Sequence, residues 1–163
     1  MSARLDTLWR NGVVEVDWRA VRTQAEIHGE GLPHKTLSAT YAEVVQAATP
    51  DERLGLRLPS RPPHSLPAIE RFAALDHWSR ATNRTKLFDA VWAGDLDVGS
   101  PIVLDMLLPK PSPDQEDAGR ELARAWQTQF DELNVDDVVP VLQDESGHLL
   151  VGAPSLASLD VFL

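Results

Sequence analysis

Five histidines, His28, His34, His64, His77 and His148, are the only neutral nitrogen ligands this chain offers. It contains no cysteine, so disulfides, thiolate zinc sites and cysteine nucleophiles are excluded together. Glu26, His28, Glu30 and His34 crowd one short stretch and have the donor types for a divalent cation held by carboxylate and imidazole. Gly29 and Gly31 interrupt that stretch, however, and no H-E-x-x-H spacing occurs, so it reads as a helix end and loop. Asp95-Leu96-Asp97 has the alternation of acids used to bind metal-nucleotide substrates, but no glycine-rich phosphate cradle accompanies it. G-x-G-x-x-G, G-x-x-x-x-G-K-[ST] and G-x-S-x-G are all absent, and His77 beside Trp78 reads as a half-buried helix residue. No cofactor, no metal and no catalytic residue is expected. One enzymatic alternative stays open, a small enzyme whose carboxylate and histidine groups meet only in space, with Asp95, Asp97 and His148 as its members.

Charge says more than motif. The net charge is −10, and residues 83–163 carry all of it, with fifteen acids against five basic residues. Residues 1–82 are balanced at ten of each. A nucleic-acid backbone is bound by displacing counterions with Lys and Arg, so an acidic half repels it, and anionic membrane surfaces are disfavoured on the same ground. No nucleic acid and no membrane are expected as partners. A basic protein surface is attracted instead. The residues expected to meet such a partner are Trp92, Asp95, Asp97, Asp131, Glu132, Asp136 and Asp137. Trp92 is included because an indole left partly exposed is a common interface anchor.

The elements that must position these groups follow from spacing. Leu5, Leu8 and Trp9 predict a short helix stopped at Asn11-Gly12, and Val13, Val14 and Val16 a brief strand. Asp17 is placed to cap a helix carrying Trp18, Val21 and Ala25. Leu37, Tyr41, Val44, Val45 and Ala48 predict an amphipathic helix over 36–48. Thr49-Pro50-Asp51-Glu52 has the form of a capping box, and Leu54, Leu56 and Leu58 alternate like a strand. The proline-rich run 59–67 predicts an irregular connection and marks the one candidate subdomain boundary. Ile69, Phe72, Ala73, Leu75 and Trp78 predict the next helix, and Asn83 is placed to cap another that ends at Gly94. Ile102 to Leu108 is nearly continuous apolar and reads as a buried strand. Ser112-Pro113-Asp114-Gln115 starts a long helix to about Leu133 that buries Leu122, Ala123, Trp126 and Phe130. Val138 to Leu142, the turn at Asp144-Glu145-Ser146-Gly147, and Leu149 to Val151 predict a hairpin, and Ser155 a final helical turn. The five tryptophans each fall on a predicted apolar helix face, which makes core their default place.

Two stretches carry a family likeness. Leu87-Phe88-Asp89-Ala90-Val91-Trp92-Ala93-Gly94-Asp95-Leu96-Asp97-Val98, a helix running into a short strand, resembles the start of the SseB-type domain (enhanced serine sensitivity protein). The run from Val139 to Leu156 is similar to that family's strand, acidic-glycine turn, strand and small capped helix, with Ala153-Pro154 where the family has an aromatic residue followed by Thr and Ser. The likeness covers at most residues 84–163. It implies a small, non-enzymatic α+β module and carries over no catalytic residue.

The expectation is therefore one helix-rich α+β domain over residues 1–163, with a small mixed or antiparallel sheet that includes a C-terminal hairpin. Met1-Ser2-Ala3-Arg4-Leu5-Asp6 lacks the apolar core of a signal peptide and no run reaches the roughly 18 apolar residues of a membrane span, so a cytoplasmic protein is expected. The expected function is an acidic interaction module, chaperone-like or regulatory, that binds a basic or partly unfolded protein. A structural subunit of a homo-oligomer, the simplest case being a homodimer, would instead show an apolar patch of several hundred Å².

Overall fold

The structure, a computed structural model, describes residues 2–23, 34–47, 53–61, 63–135, 139–152, 159 and 162. It is α+β and helix-rich, with a small antiparallel sheet formed by the C-terminal hairpin. Two compact units divide the chain, one built from residues 1–17 and 134–163, the other from residues 18–133.

The first unit contains α1 (Ser2–Arg10), β1 (Val141–Gln143) and β2 (Leu149–Val151). Asn11-Gly12 stops α1 as expected. Gly12 takes a positive φ of 68°, and the amides of Asn11, Gly12 and Val13 close on the last carbonyls of the helix. Val13 to Val16 form no strand, because no segment among the described residues pairs with them and an unpaired strand has no ladder to hold it. In the hairpin Val141 faces Val151, Leu142 faces Leu150 and Gln143 faces Leu149. Gly147, at φ +89°, makes the turn possible. Of the predicted final turn only Leu159 and Phe162 are described, both helical, with Leu159 fully buried; its cap Ser155 lies outside the described residues.

The second unit holds α2 (His34–Ala47), α3 (Leu66–Ala73), α4 (His77–Trp92), α5 (Pro101–Leu107) and α6 (Pro113–Glu132). Its axis is α3, which is buried on two sides. Ala68 packs with Ala90, Val98, Leu104 and Leu108, while Ile69, Phe72 and Ala73 pack with Ala123 and Trp126 of α6. The start of α6 is the capping box read from the sequence. Gln115 donates its amide to Ser112 Oγ, and Ser112 donates its own to Gln115 Oε1 at 2.8 Å.

Several expected elements are corrected here. The Ile102–Leu108 run is not a strand but helix α5. Pro101 sits in its first turn, Leu104 and Leu108 are buried four residues apart, and Ile102 and Met106 are exposed. Residues 18–23 are not helical. Gln127 of α6 reaches across to accept from the Arg22 amide at 2.9 Å and donate to the Arg22 carbonyl at 3.1 Å, meeting needs a helix would otherwise meet. Leu54, Leu56 and Leu58 form no strand. Leu54 is 89% exposed, and the Arg57 amide goes to the Trp92 carbonyl rather than to a neighbouring strand. Leu66-Pro67, expected inside the irregular run, open α3, since proline in the first helical turn loses no bond. The cap of α4 is Asp76, which accepts from the Ser79 amide and hydroxyl, and Asn83 lies buried inside α4 with its amide on the Ser79 carbonyl. No strand follows α4 at residues 95–98. The predicted capping box 49–52 and the cluster Glu26, His28 and Glu30 lie outside the described residues.

Candidate functional site

Trp92 ends α4 in a short aromatic stack. Tyr41 of α2 lies against it with ring centroids 6.2 Å apart and planes 22° off parallel, and Phe88 flanks it on its own helix at 6.2 Å. The indole is half-buried by these neighbours, and Phe88 is the exposed ring of the three. Tyr41 also donates its hydroxyl to the Leu56 carbonyl, so residues 56–60 run along this end of α4.

Asp95 turns the chain just beyond. It adopts φ +51°, a conformation Asp tolerates better than most side chains, and the Leu96 amide returns to the Ala90 carbonyl. Its carboxylate accepts from the Ser60 amide at 2.7 Å. That bond, the Ser60 hydroxyl and the nearby Arg61 and Arg57 hold Asp95 below the usual carboxylate range. Asp97 accepts from the Gly99 amide at 2.9 Å and shapes the next turn. Pro59, Ser60, Pro63, Val91, Asp95 and Leu96 are among the residues around a shallow cavity of about 210 Å³. Both carboxylates serve backbone amides, and Asp95 also faces Arg57 and Arg61.

Asp114, Glu116, Asp117, Glu121, Asp131 and Glu132 are all exposed on α6, against Arg120 and Arg124. Gly119, Ala123, Trp126 and Phe130 form its buried stripe. At about 100° per residue, Asp114, Asp117, Glu121 and Glu132 fall on the face directly opposite. Asp131 sits to one side and accepts from Gln127 Nε2 at 3.0 Å. Asp136 and Asp137 lie outside the described residues.

The tryptophans divide. Trp126 is buried, Trp9, Trp18 and Trp92 are half-buried, and Trp78 is 68% exposed. The break at residues 74–76 ends the stripe that would have carried Trp78 inward with Ile69 and Phe72. Arg84 covers the Trp18 ring at 3.9 Å and Arg80 the Trp126 ring at 5.1 Å, and burial draws Arg84 below its ordinary pKa.

His148 belongs to the hairpin turn. Asp144 Oδ1 accepts from the amides of Ser146 and His148 and from the Ser146 hydroxyl, and Asp144 Oδ2 lies 3.0 Å from His148 Nδ1. Ser146 Oγ reaches the same nitrogen, Nδ1, at 2.9 Å. A nucleophilic triad needs the serine and the acid on opposite nitrogens of the ring, so this cluster builds a turn. The Ser146 hydroxyl, followed by the His148 amide and ring, pulls Asp144 down to about 2. A carboxylate with a lowered folded-state pKa stabilises the turn above its ordinary range, and that contribution fades as the pH falls toward the lowered value. In an NMR titration the Asp144 carboxyl should therefore turn over near 2, with the Ser146 and His148 amides shifting alongside it. A midpoint at the ordinary aspartate value would mean that the turn bonds are absent in solution.

Among the described residues no three His, Asp or Glu side chains converge as a metal-ligand set, and no helix is long and apolar enough to cross a membrane. Sequence reasoning missed the outward placement of Ile102, Met106, Trp78 and Phe88. A helical reading of 101–107 would have found the first pair, since positions 102 and 106 lie opposite Leu104. No family model, no curated protein and no solved structure matches the chain.

Proposed function

We propose that this protein is a non-enzymatic, acidic interaction module that docks a basic or partly unfolded protein partner, in a chaperone-like or regulatory role in the cytoplasm. The observation carrying this reading is the outer face of α6, where Asp114, Asp117, Glu121 and Glu132 stand opposite the buried stripe. Such a face raises the encounter rate with a positively charged chain and rejects an acidic one. The use of Asp95, Asp97, Asp144 and His148 as turn-forming groups supports the non-enzymatic side of the reading.

The test is association kinetics with basic, neutral and acidic unfolded polypeptides of matched length. The basic chain should bind, and its on-rate should fall by about tenfold between roughly 0.05 and 0.3 M salt. Glu121→Lys combined with Glu132→Lys should lower the low-salt on-rate by a similar factor. Equal binding of the acidic chain, or no binding of the basic one, overturns the reading.

A further inference from the structure

A groove of about 240 Å³ lies between α3, α5 and the first turns of α6, with Pro67, Ala74, Pro101 and Leu104 among its apolar walls and Glu70 and Glu116 among its polar ones. Its volume is below the few hundred Å³ and more of a typical metabolite pocket, and it suits a single long side chain. Two arginines also line it, and both are occupied. Arg71 is held by Asp105 at 2.9 Å and by the Pro109 carbonyl at 3.4 Å, and Arg120 pairs with Asp117. Glu70 and Glu116 join no ion pair among the described residues. The local balance of these six groups is negative, and the two uncompensated carboxylates line the groove itself.

Helix α5 turns Leu104 toward the groove and leaves Ile102 and Met106 on its opposite face, 76% and 78% exposed. Neither of them lines the groove. Neither side chain contributes to the core clusters of this unit.

We propose that the groove takes an arginine or lysine side chain from a protein partner. The methylene stem of the basic residue fits the proline and alanine walls, while its cation meets Glu70 and Glu116. Charge complementarity selects this occupant, since an acidic or phosphorylated segment would bring like charge to both carboxylates. The proposal rests on the acidic-module reading and assigns it a contact point distinct from the outer face of α6.

The probe is a short fluorescent peptide with one arginine between two leucines, together with a twin in which neutral citrulline replaces the arginine. Wild-type protein should bind the arginine peptide about fivefold to tenfold more tightly than the twin. Glu70→Gln combined with Glu116→Gln should erase that difference. Glu15→Gln combined with Glu145→Gln removes the same charge at exposed positions that belong neither to the groove nor to α6, and should leave the difference in place. If wild type binds the twins equally, or if the two charge-neutralised variants lose the same amount, the groove proposal falls while the acidic-module reading stands. If neither these peptides nor the basic polypeptide binds, both fall together. The twin comparison on wild-type protein needs no variant, so a folding defect cannot mask the result.

Discussion

Replacing Trp126 with alanine should destabilise the protein by about 3–5 kcal/mol, the largest loss expected from any single substitution at a tryptophan. Trp126 is 4% exposed and sits where α6 meets α3. Its ring lies 6.4 Å from that of Phe72 with the planes 57° apart, and Arg80 covers its other surroundings with a guanidinium 5.1 Å from the ring centroid. Truncation therefore removes the transfer free energy of an indole, opens a cavity lined by Ile69, Phe72, Ala73 and Ala123, and takes away the aromatic face under a cation. Urea unfolding of the purified variant measures the loss as a lowered midpoint at unchanged slope. Trp78→Ala is the matched control. The same residue type in the same unit, but exposed, should cost within about 0.5 kcal/mol. Similar losses at the two positions would contradict the packing of α3 on α6 described above.

The contrast between these two tryptophans also shows what was legible in the sequence and why the rest was not. Local signals that are satisfied locally were readable. The Ser112–Gln115 capping box opens α6, Asn11-Gly12 closes α1, and the Asp144–Gly147 turn joins two short strands at the predicted place. What failed were mostly the elements whose state depends on a distant segment. Strands at 13–16 and 54–58 have the right alternation but, among the described residues, no neighbouring segment to pair with. The helix pattern from Asp17 gives way over 18–23 because Gln127, more than a hundred positions away, captures the Arg22 peptide group at both ends. Helix α5 was hidden because a seven-residue apolar run fits a buried strand and a short helix equally well by periodicity, and only Pro101 after Ser100 argued for the helix. That error propagates to the candidate site. Read as a strand, the run buries Ile102 and Met106 along with its neighbours; as a helix, it leaves them outside. Helix α6 was legible from its start at Ser112, but of the residues expected to meet a partner only Glu132 falls on its outer face. The groove was not legible, since its walls come from three segments whose meeting depends on one glycine.

Gly119→Ala should destabilise the protein by about 1–3 kcal/mol, although alanine is the better helix former by about 1 kcal/mol at an unconstrained site. The sign follows from distances. A Cβ at position 119 would stand 2.7 Å from the Glu70 carbonyl oxygen, 2.8 Å from the Ala74 Cβ and 2.9 Å from the Ala74 amide nitrogen. Two of these three atoms are backbone, so no side-chain rotation relieves the overlap, and α3 and α6 must move apart. Such a shift acts on both core clusters, because α3 contributes Ala68 to one and Ile69, Phe72 and Ala73 to the other. It acts on the groove as well, since Glu70 and Ala74 on one helix and Glu116 and Arg120 on the other line it. Urea unfolding should show the lower midpoint, and at low denaturant, where the variant is still folded, the arginine peptide should lose its advantage over the citrulline twin. Gly119→Ser, which adds a hydroxyl to the same Cβ, should be at least as damaging. A Gly119→Ala protein more stable than wild type would mean that α3 and α6 do not approach this closely, and the groove built on their crossing would go with it.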